Sequence, residues 1–532
     1  MRSIASGSLW GPDVFRTVHV AALALCAILL PWSTAFLSMA QMLLVANWLV
    51  EGIVRGDLPQ RFGRAFGKAP SLVFVSFFGL HILGLAWSTD MDWGLDMVRI
   101  LLPVLSFGVV LAASPRLSQT EYRTVLLLGA WSVVASTLVG LVLHGASTDY
   151  RSLSYFISHI RLSMLLCLAV VVFLTVPSAV TGLRIGGYVA AAWSVVFINE
   201  LGSLQGVLIL VVIGAVFLWR AARGWARWAK LAVRATLVVI PVVCITVAIP
   251  VVRSYFVLPS EQLVKTMERT AGGEYYHHDI TNPHRENGTF VWTYWAPNEV
   301  GRTWPLRSKR SLNATDEQGH PLWSTLARYL SSKGVRKDSL AVMALTDAEI
   351  RAIESGVTHV DPGRYSGLWE RVDEVGFELG QYRAYGRANG HSVTMRLEYL
   401  KAGWAIAKRH WLVGVGTGDT KQVFNDQYER MHTSLAPEWR HRAHNEYLTL
   451  WISFGVLGLL WSLFAWWWPA KQLGAWQRIH FIAWAFIFGI SCLTDDTIET
   501  QAGATFFGLY YGLFVFASPA QEGEGATSTD AI

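Results

Sequence analysis

Residues 440–467 read RHRAHNEYLTLWISFGVLGLLWSLFAWW, and this stretch decides the fold. A polar cluster, Arg440, His441, Arg442, His444, Asn445 and Glu446, passes directly into an apolar run that meets no further charge until Lys471. A membrane-spanning helix needs roughly 20 such residues. Working outward, comparable runs occupy 17–31, 33–54, 71–87, 95–113, 124–144, 160–177, 185–201, 205–219, 231–251, 479–494 and 501–517. The expectation is an all-α polytopic membrane protein with about twelve transmembrane helices. Composition agrees, because 52% of the 532 residues are hydrophobic and only 15% are charged, where a soluble domain carries about a quarter. Disorder, collagen and disulfide scaffolds are excluded by the same figures. Cys26, Cys167, Cys244 and Cys492 all fall inside apolar runs and read as small buried hydrophobes.

Lys and Arg placement orients the spans. Arg55, Arg61, Arg64 and Lys68 share one side with Arg116, Arg123, Arg184, Lys471 and Arg478. Arg220, Arg223, Arg227, Lys230 and Arg234 crowd another turn of that side, whereas 88–94, 201–204 and 495–500 hold no Lys or Arg. The basic side is read as cytoplasmic, which puts both termini inside and residues 252–444 outside. The net charge of +6 comes largely from those turns, so no nucleic-acid partner is expected. The first apolar run passes into the second near Pro31-Trp32, which reads as a helical hairpin and not a cleaved signal peptide.

Four regions follow: an N-terminal membrane region over 1–251, an outer domain over 252–444, a C-terminal membrane region over 445–517, and a disordered tail over 518–532. The outer domain is expected to hold helices at 321–333, 346–355 and 394–409. The second opens on Thr346-Asp-Ala-Glu349, a capping-box pattern in which the two ends satisfy each other's backbone N–H groups. The stretch 266–320, punctuated by Gly, Asn and Pro, is expected to be irregular.

Ionisable groups beside a membrane are costly and therefore functional candidates. Arg161 opens a span within Ser158-His159-Ile-Arg161-Leu-Ser163. Its planar fork suits phosphate, and a phosphate-bearing lipid carrier is the natural target near a leaflet. Arg99 has the alternative of snorkelling to lipid phosphate. The Arg440–Tyr447 cluster stands at the lip of a span, where a histidine can serve as general base; spacing alone does not choose between His441 and His444. Gly414-Val-Gly416-Thr-Gly418-Asp419 offers backbone that can approach phosphate, or simply a tight turn. His277-His278-Asp279 with His284 has zinc-type atoms but no i,i+4 pair, and Asp495-Asp496 lacks a second acidic cluster. No metal and no cofactor is expected. There is neither a Gly-x-Ser-x-Gly elbow nor a P-loop.

Taken in order, Gly414–Asp419, His444-Asn445-Glu446-Tyr447-Leu448 and Phe454-Gly455-Val-Leu-Gly458-Leu459 resemble the signature of the O-antigen ligase family. Ser158–Ser163, Leu326–Gly334 and Asp496–Gly503 further resemble a subset common in Bacteroidota. The resemblance implies a C-type membrane fold and a metal-independent, inverting glycosyltransferase. Such an enzyme moves a glycan from undecaprenyl diphosphate to an acceptor hydroxyl, such as that of lipid A-core, at the outer face of the bacterial inner membrane. On this resemblance His444 is the base, Arg396 matches the arginine preceding the Gly turn, and Arg161 contacts the diphosphate. His159, Arg328, Arg442, Asn445, Tyr447, Gly414, Gly416, Gly418 and Asp419 would complete the substrate site. Many members carry Ser-Arg-Gly where this chain reads Ser203-Leu204-Gln205-Gly206. Other outcomes sharing the donor half are a polymerase or a protein O-glycan ligase, and a lipid-linked sugar transporter is the rival from another class.

Overall fold

A computed structural model describes residues 12–144, 150–178, 180–361 and 368–519. Every expected span falls on a helix. Among the described residues, eight helices are long and apolar enough to cross a membrane, joined by the shorter apolar helices Val14–Leu29, His159–Thr175 and Ile479–Thr494. The chain is an all-α polytopic membrane protein. It separates into two units: 1–217 with 399–433 and 440–532, and 218–398 with 434–439. Part of the segment expected as one outer domain, residues 399–433 and 440–444, thus packs with the membrane helices, and the Arg227–Ser254 helix goes with the second unit.

The first unit is built around the Gln501–Val515 helix, buried from Ala502 onward. Small residues let backbones close up where no water drives association: a Cβ on Gly508 would lie 2.8 Å from the Pro103 carbonyl oxygen. Aromatic rings fill the remaining space, with Phe74 and Tyr511 stacked at 4.2 Å and Phe488 against Phe507 at 4.8 Å. At one end of this bundle Arg16 pairs with Glu121, Leu117 donates to the Ala517 carbonyl, and Arg478 donates to that of Phe514. The basic turns thus gather together, and the loops at 158–161, 444–446 and 495–500 gather at the other end.

The Glu446–Gln472 helix is broken. Gly455 sits at φ 65°, ψ −175°, which only glycine adopts easily, and the break frees backbone groups that lipid cannot satisfy. The stretch 411–418 repairs it. Val415 and Gly416 donate to the Ile452 and Ser453 carbonyls at 2.9 and 2.8 Å, and Val456 donates to Trp411 at 2.7 Å. The approach is so close that a Cβ on Gly455 would lie 2.0 Å from the Leu412 oxygen, and one on Gly414 2.4 Å from the Phe454 nitrogen. Trp411, Leu412 and Val413 expose their apolar side chains, so this segment runs as a re-entrant strap along the span.

The second unit has its own core of Val300, Trp304, Leu326, Leu330, Val342 and Ile353. Its helices include Leu322–Ser332 and Asp347–Glu354, the latter opened by the expected Thr346–Glu349 capping box. The stretch expected to be irregular holds a two-residue hairpin pairing Arg285 with Phe290 and a short helix, Pro297–Thr303. Leu368–Tyr385 is a helix that the sequence reading did not anticipate. Lys337 is 1% exposed and its ammonium donates to the Phe290 and Thr293 carbonyls at 3.1 and 2.7 Å.

Two predictions arise. Gly455→Ala should cost on the order of 3–5 kcal/mol through strain and collision. Melting in detergent checks this, with Gly214→Ala, whose Cβ meets nothing within 4 Å, leaving the midpoint unchanged or slightly raised. Burial lowers the Lys337 pKa to about 7, whereas an unfolded lysine keeps its proton to about 10.4. Between those values the unfolded chain binds more protons, so stability of this unit should rise with pH. Tryptophan-fluorescence melts from pH 6 to 10 should show that slope in the wild type and its loss in Lys337→Met.

Candidate active site

Three helices begin at one place: His159–Thr175, Glu446–Gln472 and Gln501–Val515. Asn445 is extended and caps the second, its side-chain oxygen accepting from the Leu448 amide at 2.9 Å. Thr500 caps the third, accepting from Gly503 N–H at 3.2 Å. The loop 495–500 between two helices supplies the acids that tie these starts together.

His444 lies at φ 46°, a left-handed backbone that costs a non-glycine residue on the order of 1 kcal/mol. Asp496 holds it there. Its carboxylate accepts from the His444 and Asn445 amides, each at 3.1 Å, and from the Thr449 hydroxyl at 2.8 Å. Asp495 addresses the imidazole, with Oδ1 3.0 Å from His444 Nδ1. Its other oxygen lies 3.1 Å from an Arg161 Nη. Arg161 also donates to Thr500 and to Ser158, both at 2.8 Å; a guanidinium has five N–H groups, so donors remain. The ring of His444 lies 29° from parallel to that of Tyr399 with centroids 5.3 Å apart. With Nδ1 bound to a carboxylate, Nε2 is the atom that can take a proton.

His441 stands edge-on to His444 at 5.8 Å. Burial lowers its pKa, with His444 and Arg442 adding to the effect. The carboxylate contact distinguishes His444 from His441, which spacing alone could not do.

Arg442 pairs with Glu499 and lies over the Trp93 ring at 5.3 Å. Burial works against its charge, but Glu499, Asp496, Glu446 and Asp495 outweigh it and the guanidinium pKa is raised. Burial pushes the Glu499 carboxyl up against the pull of Arg442. Glu446 accepts from the Ile498 amide at 2.9 Å. The acid pair 495–496, which a sequence reader first weighs as a cation site, is thus committed to a guanidinium, an imidazole and two backbone amides. Among the described residues no cluster of three or more His, Cys, Asp or Glu has metal-binding geometry.

The remaining expected residues divide. His159 begins the first of the three helices. The Tyr447 hydroxyl turns into the bundle, donating to Gly489 at 3.0 Å. The Gly414–Gly418 amides are all used within the chain: on His410, Ile452, Ser453, Gly84 and Ser88. Asp419 accepts from the Thr89 and Asp90 amides at 2.8 and 2.9 Å, so these residues brace the strap. Arg328 and Arg396 fall in the second unit, where Arg328 donates to Glu286 at 2.6 Å. Gln205, in place of the usual arginine, accepts from the Thr494 hydroxyl at 2.8 Å, one residue before Asp495. Sequence reasoning missed Asp495, Asp496, Thr449 and Tyr399 as parts of the site. The available signal was an acid pair placed directly at the end of an apolar helix.

Residues 349–463 match the family model described as O-Antigen ligase. Over those residues the chain is similar to the O-antigen ligase family. That match contains His444 and the break at Gly455, and leaves outside it both Arg161 and the acids that hold His444. No curated protein matches the chain. The family's members are membrane glycosyltransferase-like enzymes; here a histidine and an arginine share one carboxylate at the end of a helical bundle.

Asp496→Ala should unhook three donors from a charged acceptor. Each such bond is worth about 1.5–3 kcal/mol, so the expected loss is about 3 kcal/mol or more. Hydrogen exchange should show the 444–449 amides losing protection before the rest of the helix does.

Proposed function

We propose that this chain transfers a glycan from undecaprenyl diphosphate to a hydroxyl of lipid A-core at the periplasmic face of the inner membrane. The observation that carries the reading is the Asp495 carboxylate shared between His444 Nδ1 and Arg161. It puts a base and a phosphate-seeking fork side by side at the start of three helices.

In the proposed step Nε2 of His444 takes the proton of the acceptor hydroxyl as its oxygen bonds to the anomeric carbon. The bond from that carbon to the diphosphate breaks on the opposite side, and configuration inverts. Asp495 fixes the ring and stabilises the imidazolium. The leaving diphosphate carries off the electron pair, and Arg161, Arg442 and the positive ends of the helices offset the charge it gains. Diphosphate is already a good leaving group, so permanent cations answer the need without a metal. An apolar cavity of about 750 Å³ between Thr34–Arg55, Leu58–Phe66 and Leu102–Ala113 suits the polyprenyl tail. Its lining includes Arg99 and Gln501, the latter next to Thr500, whose hydroxyl meets Arg161.

Envelope glycolipids from a strain lacking the chain, complemented with wild type, His444→Ala or Asp495→Asn, test this. His444→Ala should lower transfer by about 10²–10⁴-fold, and Asp495→Asn by about a hundredfold, in kcat more than in KM. EDTA should leave activity unchanged. The expected pattern without the base is bare lipid A-core, with long glycan stranded on its carrier. Full transfer by correctly inserted His444→Ala protein overturns the mechanism. Core bearing a single repeat and no long chains means a polymerase instead.

A further inference from the structure

The second unit carries two neighbouring clefts, of about 860 and 430 Å³, which share Trp295 and Trp323 as a common wall. Both volumes lie in or near the range of ligand pockets. A third indole, Trp292, faces the smaller cleft and stands 5.4 Å from Trp323, its plane tilted by 56°. Trp323 is 41% exposed. Trp292 and Trp295 are half-buried, and three indoles that leave part of their faces open at one place forfeit burial free energy together, which is informative where a single ring is not.

The rings are held from behind. His277 and Trp295 exchange backbone hydrogen bonds at 2.8 and 3.1 Å, and Asp279 N–H donates to the Trp292 carbonyl at 2.7 Å. The buried Lys337 ammonium ties down the carbonyls of Phe290 and Thr293 on either side of Trp292. A cleft whose aromatics are fixed before binding loses little side-chain entropy when a ligand arrives.

What surrounds the rings selects the ligand. Among the described residues, Leu312 is the one aliphatic side chain, prolines apart, lining either cleft, which argues against an acyl chain or the apolar face of a helix. The other lining groups are hydrogen-bonding: His277, Asp279 and Asn282 in the smaller cleft, and Asn298, Ser311 and Asn313 in the larger. A sugar ring has this same division, with apolar C–H groups on its faces and hydroxyls around its edge. Indole planes meet the first and amides or carboxylates the second. Lys309, exposed, stands in the larger cleft beside Arg310, which donates to the Glu354 carbonyl at 3.1 Å and lies 3.9 Å from Glu317; the two cations suit an anionic substituent.

From these observations we infer that the second unit contains a carbohydrate-binding cleft for a phosphorylated oligosaccharide, stacked on Trp292, Trp295 and Trp323 with its anionic group toward Lys309 and Arg310. The choice of an envelope oligosaccharide as ligand rests on the glycan-transfer reading above; the cleft itself does not.

The full chain in detergent is titrated with lipid-free, phosphorylated core oligosaccharide and with the same material after phosphatase, reading tryptophan fluorescence and heat. The expected result is saturable binding that Trp323→Ala weakens at least tenfold. Lys309→Ala should weaken binding severalfold for the phosphorylated form only. Both side chains are exposed, so the melting midpoint should stay in place. His444→Ala should bind as the wild type does. Binding intact with transfer lost, and transfer intact with binding lost, therefore report on the two claims separately. No saturable binding by either oligosaccharide overturns the cleft, as does binding indifferent to Trp323→Ala. A response to anionic phospholipid vesicles alone, abolished by Trp323→Ala, also overturns it.

Discussion

Backbone polar groups in a bilayer have no water to turn to, and the first unit is arranged around one place where a helix leaves them unpaired. The break at Gly455 could not persist in lipid unaided. The strap from Trp411 to Gly418 makes it tolerable by lending amides to the freed carbonyls and a carbonyl to a freed amide. The strap is in turn braced by Thr417 Oγ1 on the His81 carbonyl and by Asp419 on the loop after the Ala69–Gly84 helix. One unsatisfied turn of helix thereby dictates glycines at 414 and 455, and the path of the chain that precedes His444.

A second constraint acts at the end of the bundle, where charge meets the membrane edge. Asp495 and Asp496 are each less than a tenth exposed, and buried carboxylates need partners. They find them in Arg161, in the imidazole of His444 and in the amides that start the Glu446–Gln472 helix. Structure and chemistry share the same contacts here: what neutralises the acids also aims the histidine.

The spans were legible because about twenty apolar residues in a row admit few alternatives, and the Thr346–Glu349 cap because its chemistry is local. The Leu368–Tyr385 helix was not. It mixes charges and includes Gly376 and Gly380, poor helix formers whose purpose is to admit Tyr255 at contact distance. His444, Asn445 and Arg161 were readable as polar groups at a membrane lip. Asp495 and Asp496 were readable as an acid pair, but no local pattern says whether the answering charge is a metal ion or an arginine more than 300 residues away. The glycines at 414 and 416 signalled a close approach correctly; what they approach is a helix backbone, which spacing does not encode.

The separation in sequence of the groups that meet at His444 bears on how such a protein is made. Arg161 belongs to the first third of the chain, and the acids that hold the histidine come about fifty residues after it. During vectorial synthesis the imidazole therefore enters the membrane region without its carboxylate, on a helix already dependent on the strap. A stalled or truncated chain ending before residue 495 would lack both the Gln501–Val515 helix around which the first unit is built and the carboxylates that hold His444. The contacts of His444 are completed in one late step, when the Asp495–Thr500 loop closes over the starts of three helices. Until that moment His444 has neither of the acids that hold its ring and its backbone.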